Sequence, residues 1–145
     1  MADCEGRRVV VTGMGAVTPI GQTVANFWSS LKLAKSGIAP LEGVPLEHLK
    51  VRIAAQVRNF DQTARLKHWR RDQTILHSDR YSWLAAAAAD EAIKQSGLEA
   101  PFKSPDRAAC IIGSGAGGQI TAETACRDRF IAQKRAVHPL SLIHI

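Results

Sequence analysis

Residues 7–21, RRVVVTGMGAVTPIG, constrain this 145-residue chain more than any other stretch. Three consecutive β-branched residues, Val9, Val10 and Val11, read as a short strand of the kind buried inside a parallel sheet. Gly13 and Gly15 then let the backbone turn where a Cβ would clash. Thr18 precedes Pro19, which pushes it out of the α region and keeps the loop extended. A helical pattern begins at Thr23. Strand, glycine turn and helix make the first half of an α/β unit.

Over residues 23–34, Val24, Phe27, Trp28 and Leu31 recur at helical spacing, with Thr23 as N-cap and Gly37 as the left-handed stop. Residues 38–50 carry Pro40, Gly43 and Pro45 and read as loop. Residues 51–57 partly alternate and predict a second strand. The charge-dense residues 61–77 form a short surface helix or an irregular loop. The clearest helix is capped by Ser78 or Asp79, runs through five alanines, Ala85 to Ala89, and stops at Gly97. A connection with Pro101 and Pro105 leads to a third strand over residues 108–112, apolar throughout and so expected to be buried on both faces. The glycine turn of residues 113–118 opens a helix over residues 119–134. The apolar residues 137–145 read as a run cut from a larger fold. No internal repeat is present.

With 46% hydrophobic and 22% charged residues, the chain has the means to build a core. Lys plus Arg outnumber Asp plus Glu by 19 to 13, giving a net charge of +6. A solvated basic surface or an acidic protein partner accounts for that excess. Nucleic acid does not fit, because the chain has neither a block of like charge nor a basic platform studded with aromatics. The three cysteines, Cys4, Cys110 and Cys126, lack Cys-x-x-Cys spacing, which argues against a disulfide framework or a zinc site. The five histidines form no i, i+4 pair on a convincing helix, so no metal is expected. Neither a signal peptide nor a run of transmembrane length is visible, and a reducing cytoplasm is the expected compartment.

GSGAGG at residues 113–118 fits the dinucleotide pattern G-x-G-x-x-G, after a predicted strand and before a predicted helix. That pattern also needs a second strand ending in an acidic residue about 20 positions on, to hold the ribose. Helical sequence fills that space, and residues 137–145 hold no Asp or Glu. The glycines therefore serve close packing rather than a nucleotide. Cys126 follows Thr124 and Ala125 but leads into Arg127 and Asp128 within a predicted helix, a poor setting for a nucleophile at a strand-to-helix elbow. Cys110, inside the predicted third strand, reads as an inert small hydrophobe.

Five stretches in order carry a resemblance. They are residues 8–21, residues 26–38 with Asn26-Phe27-Trp28 and Ser36-Gly37-Ile38, Val51-Arg52-Ile53-Ala54, Ser78-Asp79-Arg80-Tyr81, and Ile111-Ile112 followed by the glycine run. Together they resemble the β-ketoacyl-acyl-carrier-protein synthases, condensing enzymes of the thiolase fold, and most of all the elongating type of bacterial fatty-acid synthesis. The resemblance spans about residue 7 to the last residue and covers the first third of a family member. It implies an α/β, thiolase-like fold, with residues 1–145 forming the N-terminal part of one α/β half whose mostly parallel or mixed sheet is packed by helices.

It also implies decarboxylative Claisen condensation of an acyl-cysteine with malonyl-carrier protein in the parent protein, no cofactor, an acidic acyl-carrier protein as partner, and a homodimer. Gly115, Ala116, Gly117 and Leu140 would border the acyl-chain pocket, which Ala116 would leave more open than a bulkier aliphatic residue. Arg65, Lys67, Arg70 and Arg71 lie in the region that docks the carrier protein, though they do not match family positions one for one. The family's nucleophile and two catalytic histidines match nothing in these residues, so the chain alone is expected to be inactive. A non-catalytic interaction module, such as a chain-length-factor-like partner, is the alternative.

The missing ribose acid predicts that the glycine turn binds no nicotinamide nucleotide. Titration of NADPH should give no saturable signal. Saturable binding that Gly115→Val abolishes and a remote substitution leaves intact would overturn this.

Overall fold

The computed structural model of the chain describes residues 8–67, 78–99 and 101–134. Its elements, in order, are α1 (Val24–Lys32), β1 (Ile38–Pro40), β2 (Ile53–Ala55), α2 (Gln62–Arg65), α3 (Arg80–Ser96), a 3-10 turn (Pro105–Arg107), α4 (Gln119–Cys126) and a π turn (Arg127–Ile131).

The helix signals act locally, and most of them operate as the sequence implies. Thr23 is extended and its hydroxyl accepts the Asn26 N–H at 3.2 Å, which starts α1. The end of α1 differs from expectation. Leu33 caps it, and the left-handed residue is Ala34, with φ 50°, rather than Gly37. For α3, Asp79 is the N-cap and Gly97, with φ 70°, is the left-handed stop.

Two faces of α3 hold most of the described fold together. Ala88, Glu91, Ala92 and Gln95 recur at i, i+3, i+4 and i+7, so they share one face. The loop of residues 13–16 lies directly on that face. A Cβ on Gly13 would overlap the Ala92 carbonyl oxygen, and one on Gly15 would overlap that of Ala88. Both positions are therefore confined to glycine by backbone-to-backbone approach.

Two polar side chains on the same face meet the loop's amides. Glu91 Oε2 accepts the Ala16 N–H at 3.1 Å, and Oε1 accepts the Val24 N–H at 2.9 Å. Val24 opens α1, so Glu91 serves an N–H that has no partner inside its own helix. Gln95 Oε1 accepts the Met14 N–H. The adjacent face of α3 presents Ala86 and Ala87 to Leu66, with Val17, Phe60 and Trp83 packed around them.

Arginines tie the remaining loops by bonding backbone carbonyls. Arg65 Nη2 donates to Gln22 O at 2.8 Å, Gln22 Nε2 to Arg58 O at 2.8 Å, and Arg58 Nη2 to Pro40 O at 2.7 Å. Arg58 Nε also lies 3.0 Å from Glu42 Oε1, an ion pair rather than an aligned hydrogen bond. Arg80 donates to Val57 O.

The sheet departs from expectation. It is a two-stranded antiparallel ribbon pairing Ile38 with Ala55 and Pro40 with Ile53. β2 falls inside the predicted second strand, but β1 falls in residues read as loop. Neither predicted outer strand forms among the described residues. Val9 is 93% exposed, and Ile111, expected to be buried on both faces, is 94% exposed. Cys110 is exposed as well, correcting its reading as a buried hydrophobe. A parallel strand forms only with neighbours to complete its hydrogen bonds and layers to cover it. Residues 8–12 and 108–112 have neither among the described residues. The predicted helix over residues 119–134 is α4 followed by the π turn, and no strand follows the glycine run among the described residues.

This exposure is substantial. The chain presents 12214 Å² to solvent, against about 7,300 Å² for a compact monomer of its mass.

Glu91→Ala should remove both acceptors at once. Charged hydrogen bonds of this kind contribute about 2 kcal/mol, so amide exchange at Ala16 and Val24 should quicken about 30-fold. Exchange in the ribbon should be unchanged. Unaltered exchange at both amides would show that Glu91 does not hold the loop.

Candidate functional site

The glycine run is fixed at one end and open at the other. Gly118, with φ 82°, is the residue before α4, and the left-handed backbone there suits glycine. Gly117 lies against the Tyr81 ring, where an added Cβ would come within 2.8 Å of Cζ. Gly113 and Gly115 have open space on the side a Cβ would occupy, and Ala116 is exposed.

Asp79 holds this arrangement in place. Its Oδ1 accepts the Arg80 N–H at 2.7 Å, which caps α3. Its Oδ2 accepts the backbone N–H and the hydroxyl of Thr121, each at 3.2 Å. Thr121 is in the first turn of α4, so one carboxylate joins the starts of two helices. The glycine run is thereby seated beside the N-terminus of α3.

Of the residues expected at the acyl pocket, Gly115, Ala116 and Gly117 sit together on this turn, while Leu140 lies outside the described residues. Of those expected to dock a carrier protein, Lys67 is exposed. Arg65 is half-buried and its guanidinium is engaged with Gln22 O. Arg70 and Arg71 lie outside the described residues.

The described residues assemble no catalytic constellation. Cys126 ends α4 and is exposed. The neighbouring Arg127 is committed to Glu123 at 2.7 Å. No group of three or more potential metal ligands comes together among the described residues. No helix there is long and apolar enough to cross a membrane.

Sequence reading missed the contributions of Glu91, Gln95 and Thr121. Glu91 and Gln95 carried a faint signal, since they interrupt one small-residue face of an alanine-rich helix. Thr121 carried none, because its partner is 42 residues away.

Comparison with known proteins gives these features a context. The family model for the N-terminal domain of β-ketoacyl synthases matches residues 6–140. The 3-oxoacyl-[acyl-carrier-protein] synthase 2 of Synechocystis sp. is 34% identical over 118 residues, covering 81% of this chain and 27% of that protein. The Coxiella burnetii protein of the same name is 37% identical over 114 residues, covering 79% of this chain and 27% of its own length. A Staphylococcus aureus counterpart is 34% identical over 135 residues, covering 93% of this chain and 32% of that one.

Among solved structures, the ishigamide ketosynthase/chain length factor superposes with a TM-score of 0.70 at 23% identity, over 93% of this chain and 33% of that one. That likeness establishes a ketosynthase fold. The chain thus spans about a third or less of the length of the relatives it matches. With nearly all of its residues matched by one family model, the chain belongs to the β-ketoacyl synthase family, in the region of that family's N-terminal domain.

Proposed function

We propose that residues 1–145 form the N-terminal part of a β-ketoacyl synthase domain in a cytoplasmic, homodimeric 3-oxoacyl-[acyl-carrier-protein] synthase. The observation that carries this reading is the family match over residues 6–140, supported by synthase 2 relatives at 34–37% identity. The reaction would be transfer of an acyl group to a cysteine, then attack by the carbanion formed as malonyl-carrier protein loses carbon dioxide.

In this reading the glycine turn borders the space for the acyl chain. Gly115, Ala116 and Gly117 keep side chains out of that space, and Leu140 adds an apolar wall. Asp79 and Tyr81 position the turn without touching substrate. Arg65, Lys67, Arg70 and Arg71 belong to the face that meets the acidic carrier protein. Lys67 fits that role best among the described residues, because it is exposed, whereas Arg65 already bonds Gln22.

Two experiments test the reading. The purified 145-residue chain, supplied with acyl- and malonyl-carrier protein, should release no carbon dioxide and form no 3-oxoacyl product. Turnover that Cys126→Ala abolishes would overturn the assignment of the nucleophile to residues outside this chain. In a synthase of the relatives' length carrying this segment, Arg70→Glu with Arg71→Glu should weaken carrier-protein binding about tenfold at low salt. The loss should shrink as salt rises, because exposed charges are screened over about 10 Å at 0.1 M. Unchanged affinity at low salt would remove these residues from the docking face.

A further inference from the structure

α4 starts without a cap of its own. The residue before it is Gly118, which offers no side chain, and its first turn holds no acidic residue. The amides of a first turn have no acceptor inside their own helix, so the start of α4 depends on a group from elsewhere. Asp79, 42 residues away, supplies that group. Its Oδ2 accepts both the backbone N–H and the hydroxyl of Thr121, each at 3.2 Å. Bonds to a carboxylate are stronger than neutral ones, which suits a link between two separate elements.

The same short segment meets the glycine turn a second time. The ring of Tyr81, two residues after Asp79, lies against Gly117, and Ser114 Oγ lies against the same glycine. A Cβ on Gly117 would come within 2.6 Å of Ser114 Oγ and 2.8 Å of Tyr81 Cζ. Gly118 is buried and Thr121 half-buried. Gly113 and Gly115, by contrast, have open space where a Cβ would stand, and Ala116 is exposed. The turn is therefore seated at the end that enters α4 and open before it.

The two oxygens of Asp79 divide the work. Oδ1 accepts the Arg80 N–H at 2.7 Å and caps α3, while Oδ2 holds α4. Thr121 separates these roles, because removing its hydroxyl leaves the cap of α3 as it is.

We infer that the Asp79–Thr121 link is a specificity determinant for the acyl substrate: it holds residues 115–117 in place and so sets how tightly the acyl chain is bound, without acting on the condensation. This rests on the functional reading above, in which the turn borders the acyl chain. Asp79 and Thr121 are then positioning residues, neither touching substrate and both acting through the glycine turn. A turn already fixed in place meets the chain without first losing conformational freedom, so binding is stronger. Once released, the turn samples other positions and the acyl chain is held less tightly.

The test uses a synthase of the relatives' length carrying this segment. Asp79→Ser keeps an N-cap for α3 but is too short to reach Thr121. Thr121→Val removes the hydroxyl alone. KM for the acyl-carrier protein should rise about tenfold in Asp79→Ser and about threefold in Thr121→Val. In both, kcat and KM for malonyl-carrier protein should stay within about twofold of the parent. Thr121→Ser, which restores the hydroxyl, should match the parent. The double variant Asp79→Ser with Thr121→Val should be no worse than Asp79→Ser, because both substitutions break one link. An active parent whose acyl KM is unmoved by either substitution would overturn this inference alone. So would equal changes in every constant, which mark a general loss of structure, or additive effects in the double variant. A parent that forms no 3-oxoacyl product would overturn the functional reading, and this inference with it.

Discussion

The carboxylate of Glu91 is the interaction on which the described fold depends most. It reaches from the middle of α3 to two backbone amides that secondary structure leaves without partners, those of Ala16 and Val24. It can do so only because the loop of residues 13–16 lies in backbone contact with α3, and that approach needs both the alanines of the helix and the glycines of the loop. Small residues on both sides bring the elements close, and a single acidic side chain fixes their register. Enlarging a glycine or removing the acid would break the same joint by different means, through overlap in one case and unmet amides in the other.

Asp79 repeats this logic at the other end of α3. One oxygen caps its own helix and the other holds Thr121, so α4 begins where α3 begins. The glycine turn inherits its place from that link. Both acidic residues act on helix starts, where free N–H groups and the helix dipole favour negative charge. The arginines work in the opposite sense. Arg58, Arg65 and Arg80 bond backbone carbonyls of loops that carry little secondary structure of their own. Part of the cationic excess that a reading of charge assigns to partners is thus used inside the fold.

The buried core is small, built around Leu66, Ala86 and Ala87, while large apolar side chains from Val9 to Val11 and at Ile111 and Ile112 face solvent. These runs have strand composition but no strand partners among the described residues. Uncovered β-branched runs with free backbone groups favour self-association. The relatives that match this chain are about three times as long.

The residues alone determined what is decided within a turn or two of chain. The Thr23 and Asp79 caps, the Gly97 stop and the alanine-driven α3 follow from local hydrogen bonding and propensity, and all are seen. Family membership was legible in the same way, because the glycine and serine–aspartate motifs occur in a characteristic order that needs no folding to be read. What local pattern could not decide is whether strand-like residues become strands. Residues 8–12 and 108–112 have the composition yet lack partners among the described residues, whereas Ile38, in residues read as loop, pairs with Ala55 seventeen residues on. Strand pairing is settled by what lies alongside, not by the segment itself. The same holds for the role of Glu91 and the link from Asp79 to Thr121. Each brings together groups distant in sequence, and only the tertiary structure made them neighbours.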